Sequence, residues 1–224
     1  MIRGEQESPG RRLNHENCSC SSRWPCGKKV IAEALNRGHE VTAFGRHDVN
    51  ETPAKTYIKK DILNLTKEDL QGFDAVVDAF GTWTPETLNN HSKTLKHLAD
   101  ILSGTNVRLL VVGGAGSLYV DPEHTTQLVD TPDFPEAFKP LATAQGKSLA
   151  ELRLRTDVKW TYISPAADFQ ADGERTGKYI LAGEEFKLNS KNESVISYAD
   201  YAIAMVDEIE NGNHIQKRIS VVRA

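Results

Sequence analysis

Val107-Arg-Leu-Leu-Val-Val-Gly-Gly-Ala-Gly-Ser117 joins a short apolar run to three glycines in four positions and then a serine. Val107 to Val112 is rich in β-branched residues and reads as a strand buried on both faces, as in a parallel sheet. Glycines directly after it can take positive φ, and they let a ligand approach with no Cβ in the way. In an open parallel sheet, ligands sit just beyond the carboxyl ends of the strands. Ser117 therefore stands where hydrogen-bonding chemistry is expected, with the backbone of Gly113 and Gly114 beside it. A tight strand-to-helix turn without a ligand accounts for the same residues, and the stretch alone does not choose.

The other chemistry-bearing cluster is weaker. His15, Cys18, Cys20 and Cys26 form His-x2-Cys-x-Cys-x5-Cys. Zinc knuckles usually pair cysteines as Cys-x2-Cys, and three cysteines cannot all form internal disulfides. The expectation is free thiols and no metal.

Composition narrows the classes. The chain has 224 residues, 39% hydrophobic and 26% charged, with a net charge of −4. No Lys/Arg block stands out, which argues against nucleic acid. No apolar run approaches the ~20 residues of a membrane helix. The N-terminus has no apolar signal core. A cytoplasmic protein acting on small molecules, without membrane or nucleic-acid partners, is the expectation, and the oligomeric state stays open.

Several elements must position Ser117. Lys28 to Arg37 has a helix pattern, with Val30, Ile31, Ala34 and Leu35 on one face and Gly38 closing it. Glu40 to Phe44 is a strand ended by Gly45-Arg46-His47, and Lys55 to Ile58 a weaker one leading to Asp61. Thr66 is placed to N-cap a helix with acids in its first turn. Asp74 to Gly81 is a buried strand ending in glycine. Thr84-Pro85-Glu86 then opens a long helix buried through Leu88, Leu95, Leu98 and Leu102. Leu118 to Lys139 is a long loop, and loops of that length are usually functional lids or disordered. Helices follow at Pro140 to Thr156 and Tyr198 to Asn211, with strands at Val158 to Ile163, Lys178 to Leu181 and Arg218 to Val222. Alternating strand and helix predicts an α/β fold, a doubly wound parallel sheet with a small C-terminal substrate lobe. Residues 1–26 read as an irregular segment and 27–224 as one domain.

Seven blocks in order carry a resemblance: Glu33-Ala-Leu-Asn-Arg-Gly-His-Glu-Val-Thr-Ala43, Asp74-Ala-Val-Val, Leu110-Val-Val-Gly-Gly-Ala-Gly-Ser117, Leu128-Val-Asp-Thr-Pro-Asp-Phe-Pro135, Trp160-Thr-Tyr-Ile-Ser-Pro-Ala166, Gly173-Glu-Arg-Thr-Gly-Lys-Tyr179 and Ile196-Ser-Tyr-Ala-Asp-Tyr-Ala202. Together they resemble the atypical short-chain dehydrogenase/reductase branch of NAD(P)H-flavin reductases, similar to the biliverdin-IXβ/flavin reductase group. The resemblance covers residue 27 to the C-terminus. It implies a Rossmann-like sheet that binds NAD(P)H along its carboxyl edge. Arg46 then stands where the adenosine ribose is read. An arginine there suits the 2′-phosphate, so NADPH is favoured over NADH, although Asp48 nearby weakens that lean. Asp61 resembles the Asp near adenine. Gly81 and Thr82 resemble the backbone passing the nicotinamide ribose, and Ser164 and Pro165 the segment beside the nicotinamide.

Two departures qualify the resemblance. The superfamily's catalytic Tyr-x3-Lys reads Thr143-Ala-Gln-Gly-Lys147 here. A threonine hydroxyl is too weak an acid to replace the tyrosine. Hydride transfer to a stacked flavin needs no such acid. Ser117 would then position cofactor or substrate. The second departure is at the front, where the family has a strand and a Gly-rich turn cradling the pyrophosphate. Of that turn only Gly27 stands here. Codons for Asn17 to Lys28 read in a shifted frame can encode an Ile/Val/Ala strand and a glycine turn, which predicts a missing or garbled first strand. The functional expectation is NAD(P)H-dependent reduction of flavin or a similar planar acceptor. The alternatives are a non-catalytic NAD(P)-sensing protein and a chain inactivated at its N-terminus.

Overall fold

The structure is a computed structural model that describes residues 12–16 and 25–224. In chain order its elements are β1 (Arg12–Glu16), α1 (Pro25–Asn36), β2 (Glu40–Gly45), β3 (Thr56–Lys59), β4 (Ala75–Asp78), α2 (Asn90–Leu102) and β5 (Arg108–Val112). Then come α3 (Lys139–Arg153), β6 (Lys159–Ser164), β7 (Asp168–Gln170), β8 (Tyr179–Ala182), β9 (Val195–Ser197), α4 (Tyr198–Asn211) and β10 (Lys217–Arg223). Eight strands form one sheet, ordered β3-β2-β1-β4-β5-β6-β10-β8. All neighbours in it are parallel except β8, which runs against β10. The strand order over the first six is that of a doubly wound Rossmann-type sheet. β7 and β9 pair separately.

The strands are apolar on both sides because both faces are covered. Successive residues of β5 feed opposite layers: Leu109 and Val111 pack with Leu95, Leu98 and Leu102 of α2, and Leu110 packs with Val30 and Ile31 of α1 and Met205 of α4. In α1 the buried Cys26, Val30, Ile31 and Ala34 repeat at helical spacing. Gly38, at φ +83°, turns the chain out of it. Ser197 caps α4, its Oγ accepting from Asp200 N at 3.0 Å, and Gly212 ends that helix at φ +65°.

Three expectations are corrected. Residues 1–26 are not irregular throughout. β1 lies at the centre of the sheet between β2 and β4, with Leu13 opposite both Val41 and Ala75. The first strand is therefore present in backbone. Two parallel strands left apart expose rows of N–H and C=O groups, and any proline-free segment can satisfy them. Hydrophobic periodicity does not detect that requirement. The boundary after residue 26 falls inside α1, where Cys26 is buried, while residues 17–24, with Cys18, Cys20 and the expected glycine-turn region, lie outside the described residues. The helix expected at Thr66 is only a run of turns: Thr66 N donates to Asp69 Oδ2 at 2.7 Å, and Gly72 at φ +86° diverts the chain. The helix expected from Thr84 begins instead as a 3-10 turn, Pro85–Thr87, ahead of α2.

The loop from Leu118 to Phe138 is folded back on the sheet edge. Leu128 N donates to Leu118 O at 2.8 Å and Val129 N to Gly116 O at 2.9 Å.

Arg108, at the start of β5, ties the sheet to the end of α4. It donates to Glu208 Oε1 at 2.7 Å, Glu208 O at 2.6 Å and Thr161 Oγ1 at 3.1 Å. Glu208 is almost fully buried, and its remaining ion pair is with His214 at 2.7 Å. Arg108→Ala strands a buried carboxylate and should lower unfolding free energy by about 3–5 kcal/mol. Urea titration checks this; a loss under about 1 kcal/mol, as for a surface pair, would show that the bridge does not hold the sheet to α4.

Candidate functional site

Parallel strands put Gly45 at the end of β2, Gly81 beyond β4 and Gly113 beyond β5 on one edge of the sheet. Helices that cross back over a parallel sheet start at that same edge, so the N-termini of α1, α2 and α3 lie there too. All ten candidate residues come to this edge or its flanking helices and loops, in two groups.

The first group lies around β1 and β2. Gly27 is buried in the first turn of α1, where backbone N–H groups have no helical acceptor. No acidic residue occupies that turn, and Lys28 beside it reaches Glu51 at 3.1 Å. Arg46 follows β2, and its Nε lies 3.7 Å from Asp61 Oδ2. The other oxygen of Asp61 accepts from Leu63 N at 2.9 Å and caps a 3-10 turn. Asp48 is engaged with Lys59 at 2.5 Å.

The second group lies around β4, β5 and β6. Thr82 is buried, shares a short hydroxyl contact with Thr87, and accepts at its carbonyl from His91 Nε2 at 3.3 Å. Ser117 and Ser164 are joined by a residue the sequence reading missed. The buried guanidinium of Arg218, in β10, donates to Ser117 O at 3.1 Å, Ser117 Oγ at 3.5 Å and Ser164 Oγ at 3.3 Å. Glu184 neutralises it through Nε at 2.9 Å and Nη2 at 2.5 Å. Burial pulls this guanidinium below its ordinary range, and Glu184 offsets part of that. Pro165 is buried beside Ser164.

The glycines after β5 serve a different purpose from the one expected. None of the three takes positive φ. A Cβ on Gly113 would stand 2.1 Å from the Tyr162 ring, and one on Gly114 2.1 Å from Gln145 Oε1. At Gly116 it would meet Ala142 Cβ at 2.6 Å. The protein's own packing therefore demands glycine at Gly113 and Gly116, while at Gly114 the amide end of Gln145 would have to move aside.

Beneath this turn is a cavity of about 10 Å³, the size of one water, lined by Asp78, His91, Gln145, Ser148 and Tyr162 among others. Tyr162 Oη accepts from Gly114 N at 3.3 Å. Among the described residues Asp78 accepts from Phe80 N, at 2.9 Å, and burial pushes its carboxyl up to about 6. Burial lowers the His91 imidazole and pushes the Tyr162 phenol up to about 12. The signal in the sequence was a carboxylate at the end of an otherwise apolar strand, and an arginine in another. The inner face of α3 carries Ala142, Gln145 and Ser148. Lys147 points outward, its side chain 65% exposed and 3.9 Å from Glu151.

A Rossmann-type sheet with its candidate residues along one carboxyl edge defines a nucleotide-binding α/β protein. Residues 25–211 match the family described as NAD(P)H-binding, and the chain belongs to that family. It is 45% identical over 199 residues to YwnB, an uncharacterized protein of Bacillus subtilis, covering 88% of this chain and 92% of that one. It also matches the solved structure of a "putative NADH-flavin reductase" from Streptococcus pneumoniae. That match is 53% identical, covers 96% of this chain and 100% of the other, and has a TM-score of 0.91. A short-chain dehydrogenase/reductase of Veillonella parvula solved with NADP shares the fold at 15% identity, covering 95% of this chain and 94% of the other, with a TM-score of 0.62. No helix among the described residues is long and apolar enough to cross a membrane.

Asp78 gives a pH dependence. Its folded value lies above the ordinary carboxylate value of 3.8, so the folded state holds the proton more tightly than the unfolded one. Stability is then lost as pH rises from about 4 to about 6, and is constant above that. Asp78→Asn keeps an acceptor for Phe80 N and removes the charge. Its stability relative to the parent should rise between pH 4 and 7, by up to about 3 kcal/mol. Urea unfolding at several pH values measures this; a difference independent of pH would show that Asp78 does not titrate in this window.

Proposed function

We propose that the chain is an NAD(P)H-dependent reductase of a flavin or a similar planar acceptor, with NADPH preferred. The observation that carries the reading is the gathering of Arg46, Gly81, Gly113 and Ser117 along one carboxyl edge in a chain of the NAD(P)H-binding family. The first turn of α1 suits a pyrophosphate, having backbone N–H groups without an acceptor inside the helix, Gly27 and no acid. Arg46 suits a 2′-phosphate, since Asp48 is drawn away to Lys59. Asp61 lies beside Arg46 on the adenine side. Gly81, Thr82, Ser164 and Pro165 flank the nicotinamide side, with Gly113, Gly114 and Ser117 between them. Ser117 is held by Arg218 and acts by position.

When bound, a reduced nicotinamide would supply a hydride, leaving oxidised cofactor, and the acceptor would take one proton from water. The chain's residues contribute orientation and exclusion of water. The absence of tyrosine at residue 143 and the outward direction of Lys147 both favour an acceptor that needs no acid from the protein. The same absence fits a sensor that binds the dinucleotide without turnover. NADPH oxidation with added free flavin separates the two: turnover supports the reductase, and tight binding without turnover supports the sensor.

Arg46→Ala should weaken NADPH by about 1.5–3 kcal/mol, tenfold or more in affinity, and NADH far less. Equilibrium titration with both cofactors decides it. Equal losses would remove Arg46 from the 2′-phosphate.

A further inference from the structure

The described residues include three buried tyrosines, and a buried phenol normally finds a hydrogen-bond partner. Tyr162 Oη accepts from Gly114 N at 3.3 Å, and Tyr201 Oη donates to Ile163 O at 2.8 Å. Tyr198 is only 7% exposed, and its ring is seated against Phe169 with centroids 4.2 Å apart. Its hydroxyl nevertheless makes no hydrogen bond among the described residues. The polar side-chain atoms walled in without a partner are Arg108 Nε and Ser220 Oγ. The Tyr198 hydroxyl is not one of them, so a buried ring carries a donor that stays open to solvent.

Position gives that donor a use. Tyr198 opens α4, and α4 packs beside α1. Each helix crosses back over the parallel sheet, so both start at its carboxyl edge. Tyr198 shares a core cluster with Cys26, in the first turn of α1, and with Ala166, just past β6. The two helix starts differ in what they offer an anion. That of α4 is closed: Ser197 Oγ caps it, and the buried Asp200 carboxylate stands in its first turn. The first turn of α1 holds no acid, and its N–H groups have no acceptor inside the helix. Burial, with Cys26 and Asp172 adding to it, pushes the Tyr198 phenol up to about 12. At neutral pH the group is therefore a donor. Asp172 is exposed, where water and salt screen it.

We propose that Tyr198 is a further binding residue of this site, its hydroxyl donating to a phosphate oxygen of the dinucleotide at the first turn of α1. The proposal rests on the reductase reading and adds to it a neutral donor brought by a second helix. A hydrogen bond to a charged oxygen is among the stronger ones, and a ring held by Phe169 fixes its direction before the ligand arrives.

The test compares the full chain with Tyr198→Phe, which removes the hydroxyl and keeps the ring. NADPH, NADH and ADP-ribose all carry the pyrophosphate, and ADP-ribose lacks the nicotinamide. Their affinities, measured by equilibrium titration, should fall by a common factor of about ten. The inhibition constant of inorganic pyrophosphate against ADP-ribose should rise by a similar factor, and an unchanged constant overturns the phosphate assignment. So does a loss for NADPH and NADH that spares ADP-ribose, which would move the hydroxyl to the nicotinamide, or a loss confined to NADPH. The urea midpoint should hold, because the hydroxyl makes no bond inside the chain; a midpoint that falls along with affinity makes the hydroxyl structural and overturns its role in binding. NADPH oxidation with added flavin keeps the two readings apart. A parent that binds ADP-ribose through Tyr198 without turnover keeps the residue and removes the reductase. Turnover in a parent whose variant keeps full affinity does the reverse, and a parent that binds none of these probes removes both.

Discussion

One guanidinium joins segments that the chain keeps far apart. Arg218, near the last strand's start, donates to Ser117 after β5, Ser164 at the end of β6 and Glu184 between β8 and β9. Arginine suits this place because its five donors stand in a fixed plane and cannot be shed by deprotonation. Burying that charge is costly, and Glu184 is the group that makes it tolerable. Glu184 is shared: Arg153 of α3 also reaches it, at 2.6 Å, and its carbonyl accepts from Tyr119 N at 2.9 Å. The glycine turn, the long loop and the C-terminal segment are thus fastened to a single charge pair.

The turn itself is set by close contact. Tyr162 and Gln145 occupy the space that side chains on Gly113 and Gly114 would need. The strand, the turn and α3 can then approach closely, and the small polar cavity beneath them is what remains. Asp78 and His91 line that cavity, and burial disfavours the charged form of each. The carboxyl edge therefore combines a glycine-packed floor with polar groups under it whose charged forms burial disfavours.

Membership of the NAD(P)H-binding family fits this arrangement without the superfamily's usual acid. The helix that would present Tyr-x3-Lys presents Ala142, Gln145 and Ser148 to the interior, while Lys147 faces water. Chemistry that depends on alignment, with no proton supplied by a side chain, is what such a surface can support.

By itself the sequence determined the sheet's apolar strands, the helices α1, α3 and α4 to within a few residues, and the edge on which Gly45, Gly81 and Gly113 gather. Those follow from periodicity and from where parallel strands must end, both properties of short stretches of chain. Three-residue strands such as β7 and β9 are too short for any period, and β1 answers a demand for backbone partners that side chains do not record. The purpose of the glycines was also hidden, because it depends on Tyr162 and Gln145, which lie 49 and 31 residues away. So was Arg218, an arginine in an apolar strand whose counter-charge stands 34 residues earlier. Which polar groups are buried together, and so which charges must be paired or silenced, is fixed by long-range packing, and only the tertiary structure decided it.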